Sequence, residues 1–577
     1  VSAPGSMPGG IGGAPEAVAG TPAFAGQRRL FPADLVAPPG GRDAAGWGVH
    51  RVMGTESEFG IHAPANPGAH HSVLSVELVN SYADLITHSG GAVAGTEWDY
   101  AGESPLVDAR GWRMPRSAAH PSQLTDQALV GPDGEPVHLL LSTVLPNGAR
   151  WYVDHAHPEY SSPEVASPRE AVVWDAAGDR VAQAAAEHIA AAEGAPEVLV
   201  YKNNTDGKGQ SYGSHENYLV ARALPFDELA EVLLPFFAAR QVLVGAGRVG
   251  VGLRGERPGF QLSQRADFFE EQVGLETTIR RPIVNTRDEP HARGDAYRRL
   301  HVIIGDANLS QHATWLRMGM TALVLALAEA GTAPRIVLDD PVAALQTISH
   351  DPTLRAAVPG RERGADGVWT RREWTGLQIL GAYLDAAREH CARCGVDDAE
   401  TAAVLDAWGT DLADAAADPL ALADRADWAA KLRVLEGLRA RGGLDWSDPR
   451  LAMVDLQYAD LRPAKSLHRR LVAAGAMRVL VEDAEVEAAV VAPPRSTRAW
   501  TRGNLVRHHA RQVSGAAWDS VLVRSAEEAP LHRLRLEEPL VGAAEDLPGW
   551  WDDTPGSAAP APEPNELVTR LGELLRR

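Results

Sequence analysis

The sequence predicts an α+β protein, and three observations carry that prediction. From His50 onward, short runs of strand character alternate with longer helix-patterned stretches. Hydrophobic residues make up 45% of the 577 residues, enough for a sizeable core. Two of the strand-like segments are acidic with a period of two. MGTESEFG places Glu56 and Glu58 two residues apart, and NGARWYVDHAHPEYSSPE repeats Arg150, Tyr152 and Asp154 at that interval, followed by His157, Glu159 and Glu164. Side chains at i and i+2 of a strand share one face, so each segment aims several ligand-type groups into one cavity, as a site for divalent metal and phosphate requires. A charged strand face is also what a solvated sheet presents, but two such segments together favour the site.

Residues 1 to about 47 are rich in Gly, Pro and Ala without periodicity and are expected to be a disordered arm, or a stretch upstream of the true start. Gly and Pro interrupt them too often for a secretory signal. Strands are expected over His50–His62, Arg150–His155, Glu197–Asn203 and Leu300–Gly305. Helices are expected over Pro168–Glu193, Phe226–Gln241, Gln311–Ala330, Glu373–His390 and Leu420–Arg441. The segment from about 96 to 136, containing WDYAGESPLVDARGWRMPRS, lacks periodicity and reads as a lid, a binding loop or disorder. After Trp551, TPGSAAPAPEPNE reads as a linker before a short terminal helix. This organisation gives a disordered arm over 1–47, a catalytic domain over 48–490 and a small C-terminal domain and tail over 491–577.

A formal charge of −21 argues against nonspecific nucleic-acid binding, which needs a basic surface. The most apolar helix candidate carries Arg317 and Glu329 and reads as a buried helix rather than a membrane span. Cys391 and Cys394 are the only cysteines; with no second pair to complete a zinc site and no thioredoxin-like context, they are assigned no role. So few cysteines suit a reducing compartment, and a cytoplasmic location is expected.

Three motif-like stretches fail on context. GAGRVG at 245–250 fits a dinucleotide fingerprint, but more Gly and a Pro follow where a helix is required. His215-Glu216 begins like HExxH, yet Leu219 stands at the second His position. No GxxxxGK[ST] occurs, so a nucleotide would be held without a P-loop. Two dense polar blocks remain. KNNTDGKGQSYGSHENY (202–218) offers Asp206, His215 and Glu216 around a Gly-rich turn, and RRLHVIIGDAN (298–308) offers Arg299, His301, Asp306 and Asn308. Beside two acidic strands, a metal-nucleotide site explains these blocks better than a structural polar network.

Those blocks, with FAARQVLVGAGRVGVG, GFQLSQRADF, NTRDEPHA and MVDLQYADLR, resemble the Pup ligase/deamidase family over about Arg51 to Trp518. DHAHPEYSSPE, DGKGQSYGSHENY and the long WDY…ESPL…DARG segment resemble its deamidase/depupylase branch, the last matching that branch's lid loop. The resemblance implies a curved antiparallel sheet cradle packed by helices, a glutamine synthetase-like (carboxylate-amine ligase) core, with a small C-terminal domain. It implies Asp154 as the catalytic carboxylate and Glu56, Tyr152 and Glu159 as metal ligands, with Glu58 and His215 where a second metal would be held. Arg150, Ser162 and Trp518 fall on nucleotide contacts, Ser162 standing where the ligase branch has Thr. ATP and Mg2+ are the implied cofactors, Pup and pupylated proteins the partners, and the bacterial proteasome the functional context. The implied activity is deamidation of Pup's C-terminal Gln and hydrolysis of the Pup–lysine isopeptide bond. A Pup–protein ligase and a noncatalytic Pup-binding adaptor are the alternatives.

Overall fold

The computed structural model describes residues 48–88, 96–119, 141–192, 194–195, 197–524, 530–551 and 564–574. The expected arm over 1–47, most of the linker after Trp551 and residues 120–136 of the expected lid lie outside the described residues.

A ten-stranded sheet organises the chain. In chain order its strands are β1 (Met53–Glu58), β2 (Glu97–Trp98), β3 (Ser142–Val144), β4 (Arg150–Asp154) and β5 (His157–Ser161), then β6 (Ser214–Ala221), β7 (Tyr297–Val302), β8 (Val513–Ala517), β9 (Ser520–Arg524) and β10 (Leu531–Arg535). Across the sheet they run β7-β6-β1-β5-β4-β3-β2-β8-β9-β10. Pairing is antiparallel except where β8 joins β2 in parallel, so the C-terminal strands extend the same sheet.

Alternation along the strands separates two faces. Met53, Tyr218, Val220, Leu300 and Val302 are buried against helices in the main core, which includes α2 (Pro168–Ala191), α3 (Phe226–Val244) and α4 (Gln311–Ala330). Trp151 and Tyr160 join a second core containing Leu78 and Val79 of α1 (His71–His88). The intervening residues, among them Glu56, Tyr152, Glu159, His215 and His301, line the cavity on the other face.

Local signals set the helix ends. Ser167 caps α2 by accepting from Glu170 N, with Pro168 in the first turn. Ser310 caps α4, and Gly331 closes it in the left-handed conformation at φ 67°. The helix expected over Leu420–Arg441 is two pieces, a 3-10 turn over Pro419–Asp424 and α5 (Asp427–Gly442). The break falls at Arg425, whose buried guanidinium donates to Asp411 Oδ1 at 2.6 Å. The strand expected over His50–His62 is also two, since after Glu58 the chain leaves the main sheet and Gly60–His62 pairs with Leu199–Tyr201. Part of the block expected to surround a flexible turn is β6, paired on both sides within the sheet.

Candidate active site

Five neighbouring strands build the site. Glu56 lies opposite His215 in the β1–β6 register, and Asn217 lies opposite His301 in β6–β7. On the other side of β1, Glu58 faces Glu159 of β5, which in turn faces Tyr152 of β4. The β4–β5 hairpin turns through His155 at φ 54° and Ala156, which holds Asp154 at its mouth. Glu56, Tyr152, Asp154, Glu159, His215 and His301 line a cavity of about 480 Å³.

Two ligand-like clusters result, one of Glu56, His215 and His301 and one of Glu58, Asp154 and Glu159, with one ligand atom from each member within 4.8 Å of the others in its cluster. Of the sequence-predicted metal residues, Glu56 and His215 fall in the first cluster and Glu58 and Glu159 in the second, which Asp154 joins; Tyr152 belongs to neither and faces Glu159 across the strand pair. Glu56 is satisfied by protein: His215 Nδ1 lies 3.1 Å from Oε2, and Asn217 Nδ2 donates to Oε1 at 2.7 Å. Burial alone would raise its carboxyl, but His301, His215 and Arg299 outweigh it and hold Glu56 well below the usual carboxylate range. Burial also pushes the His301 imidazole well down, although the Glu56 charge would raise it.

Glu159 is the reverse case. Burial, then the charges of Asp154, Glu56 and Glu58, push its carboxyl well up, and its buried Oε1 has no hydrogen-bond partner. Close carboxylates with an orphaned oxygen form a donor set that a hard cation completes. Asp154 is half-buried with Oδ2 2.8 Å from His155 Nδ1. Burial would raise it, but His155, His215 and Arg287 hold it below its ordinary value and therefore ionised at neutral pH. Burial and the Glu159 charge push the Tyr152 phenol well up, so it stays protonated. A Cβ at Gly213 would collide with the His215 ring and the Glu58 carboxylate, so glycine is what lets these two approach.

Arg150 is stacked between Trp98 and Tyr152, its Cζ 4.2 and 4.0 Å from their ring centroids, and Nε donates to Ser142 Oγ at 2.9 Å. Its partner at 3.4 Å is Glu103, so the start of the expected lid forms part of the wall. That segment is anchored: Thr286 Oγ1 donates to the buried Asp108 at 2.6 Å, and Ser104 N donates to Glu289. A smaller cleft of about 80 Å³ adjoins the cavity, lined by Met53, Ser162, Leu219, Pro290, Trp518 and Pro539. The two spaces share Glu56, Ser161, His291, Arg299 and Trp518. Ser162 Oγ accepts from Thr55 N at 2.9 Å and donates to Pro163 O at 3.2 Å, tying β1 to the end of β5. Beneath the cleft, Glu164 receives Arg498 Nε at 2.6 Å and Arg502 Nη1 at 2.9 Å. Burial would raise its carboxyl, but the two arginines bring it down to about 2.

The sequence-predicted site residues therefore converge around one cavity and its cleft. Arg299, His301, Asn217 and Arg287 also belong there. The first two lay in a polar block of the sequence and are carried on one face of β7, whereas Asp306 and Asn308 lie beyond the end of that strand. Asp306 accepts from Ala246 N and Gln264 N, Asn308 bonds Asp427, and Glu216 is buried against Arg240, all outside the cavity.

Carboxylates, imidazoles and guanidinium groups converging on one face of a sheet, beside an apolar cleft, define an α+β enzyme. Residues 51–522 match the family model described as Pup-ligase protein, and the chain belongs to that family. It is 49% identical over 497 residues to the depupylase of Acidothermus cellulolyticus, covering 86% of this chain and 95% of the relative. To the Pup deamidase/depupylase of Mycobacterium tuberculosis H37Rv it is 48% identical over 506 residues, with the same coverage. Among solved structures it resembles the complex between Pup and its ligase PafA (TM-score 0.68, 28% identity, 92% of this chain and 94% of that one). It also resembles the Pup ligase PafA in complex with ADP (TM-score 0.63, 31% identity, 76% and 90%).

Proposed function

We infer that this enzyme deamidates the C-terminal Gln of Pup to Glu and hydrolyses the isopeptide bond joining that Glu to a lysine of a pupylated protein, in the Pup–proteasome system of the cytoplasm. Both reactions break the same side-chain amide. Identity and coverage support this branch: 48–49% over 86% of the chain to a depupylase and a Pup deamidase/depupylase, against 42–44% over 63–68% of the chain to Pup–protein ligases. Among the described residues no helix is long and apolar enough to cross a membrane.

The observation that carries the chemistry is the cluster of Glu58, Asp154 and Glu159, with Glu159 Oε1 buried and unpartnered. That donor set, with Glu56, Tyr152 and His215, fits Mg2+. Bound there, the ion neutralises the crowded carboxylates and supplies a clamp for ATP phosphates. Arg150 and Arg299 add positive charge at the phosphate end, and Trp518 offers an apolar wall for the base. Ionised at the mouth of the cavity, Asp154 either attacks the amide carbonyl or takes a proton from the attacking water. Nucleotide serves as a site-assembling cofactor.

Purified protein incubated with Pup ending in Gln, with and without Mg-ATP, and analysed by mass spectrometry tests the reading. Gln-to-Glu conversion dependent on Mg-ATP is expected. A lysine conjugate formed from Pup ending in Glu with ATP consumed would make the chain a ligase, and Pup left unchanged in either form would make it an adaptor.

A further inference from the structure

We propose that Arg502 is a positioning residue: it fixes the Trp518 wall against the strands that carry the site and thereby sets nucleotide affinity. The proposal rests on the reading of the Trp518 cleft as the nucleotide-base pocket.

Arg502 lies on α6 (Ala499–His508) and is fully buried. Its planar fork of five donors is spent on three separate pieces of chain. Nη1 donates to Trp518 O at 2.8 Å, and Cζ stands 4.9 Å from the Trp518 ring centroid. Nη1 and Nη2 also donate to the two oxygens of Glu164, which follows β5 and Ser162. Nε and Nη2 donate to Gly148 O at 3.2 and 3.0 Å, in the turn that leads into Arg150. One side chain thus locks the β8–β9 turn bearing Trp518 to the end of β5 and the start of β4.

Alternative anchors for the ring are few. Trp98 meets it edge-on at 5.1 Å between centroids, and Trp518 is otherwise at the border of the C-terminal apolar cluster. A lysine at 502 would keep the charge but could not span Trp518 O, Glu164 and Gly148 O at once. The ring would then sample positions that do not close the cleft, and nucleotide would bear the cost of ordering it.

The test is a double-mutant cycle on Mg-ATP affinity by calorimetry, with Arg502→Lys, Trp518→Ala and the double variant, each checked for a cooperative melt. Arg502→Lys is expected to weaken Mg-ATP about tenfold and to add little in the Trp518→Ala background. The half-saturating Mg-ATP concentration for Pup deamidation should rise by a similar factor, while the rate at saturation falls much less. Glu164→Asp, which keeps the charges and shortens the carboxylate's reach, should shift affinity in the same direction and serves if Arg502→Lys does not fold. Unchanged affinity in the folded variant while Trp518→Ala weakens binding overturns the positioning role, as does an equal effect in both backgrounds. Unchanged affinity in Trp518→Ala itself overturns the nucleotide reading of the cleft, and the inference with it.

Discussion

Glu58 of β1 stands directly opposite Glu159 of β5, two carboxylates in cross-strand register near the middle of a ten-stranded sheet. Like charges in that position destabilise a sheet, and here Asp154 and Glu56 add to the repulsion. The apoprotein tolerates this by holding Glu159 with a strongly raised carboxyl.

Mg2+ should therefore raise the melting temperature of the metal-free protein, by about 2 kcal/mol of apparent stability at saturation. Glu159→Gln should be as stable as wild type without metal, or more stable by about 1 kcal/mol, and should lose the Mg2+ effect. Thermal melts with EDTA and with Mg2+ measure both. A variant still fully stabilised by Mg2+ would remove Glu159 from the cation site.

Asp154→Asn keeps the side chain's shape but removes the ionised carboxylate. Deamidation and depupylation should fall by about 10²–10⁴-fold at saturating Mg-ATP, a far larger effect than the loss of Mg-ATP affinity, since Glu58 and Glu159 remain in the donor set. Turnover assays with calorimetry on the same preparation check it, and wild-type turnover would sink the assignment.

Gly213→Ala places a methyl group against His215 and Glu58. A loss of about 1–3 kcal/mol in stability is expected, with weaker Mg2+ binding, because both contacted groups belong to the ligand-like clusters. Urea unfolding and a metal titration measure the two effects. Unaltered metal affinity would show that the close approach at Gly213 is unrelated to the cation.

Glu164 gives a pH signature. Its folded value of about 2 lies below the ordinary 4.5, so its stabilisation is fully present above pH 4.5 and is lost as pH falls from there toward 2. A depression of that size corresponds to about 3 kcal/mol. Glu164→Gln should be less stable at neutral pH and should flatten the acid limb in that window. Denaturant unfolding across the range would expose an unchanged acid limb if Arg498 and Arg502 do not stabilise the carboxylate.

The sequence by itself determined what could be read from local pattern. Spacing of two put Glu56 with Glu58 and Arg150 with Tyr152 and Asp154 on one strand face, and the helix expected over Gln311–Ala330 formed over those residues. The family resemblance was legible because its motifs are contiguous.

Strand order and register were decided only by tertiary structure. They set Glu58 against Glu159 and Glu56 against His215, although β1 and β6 are far apart in the chain. They also admitted Arg299 and His301 to the cavity while sending Glu216 to the helix face. The helix expected over Leu420–Arg441 broke where Arg425 turned inward to Asp411, an ion pair with the preceding helix (Ala399–Ala417) that helix propensity does not encode. Periodicity fixes which face a side chain takes relative to its neighbours on the same strand; pairing energies between remote segments fix which faces meet, and therefore which carboxylates are brought together.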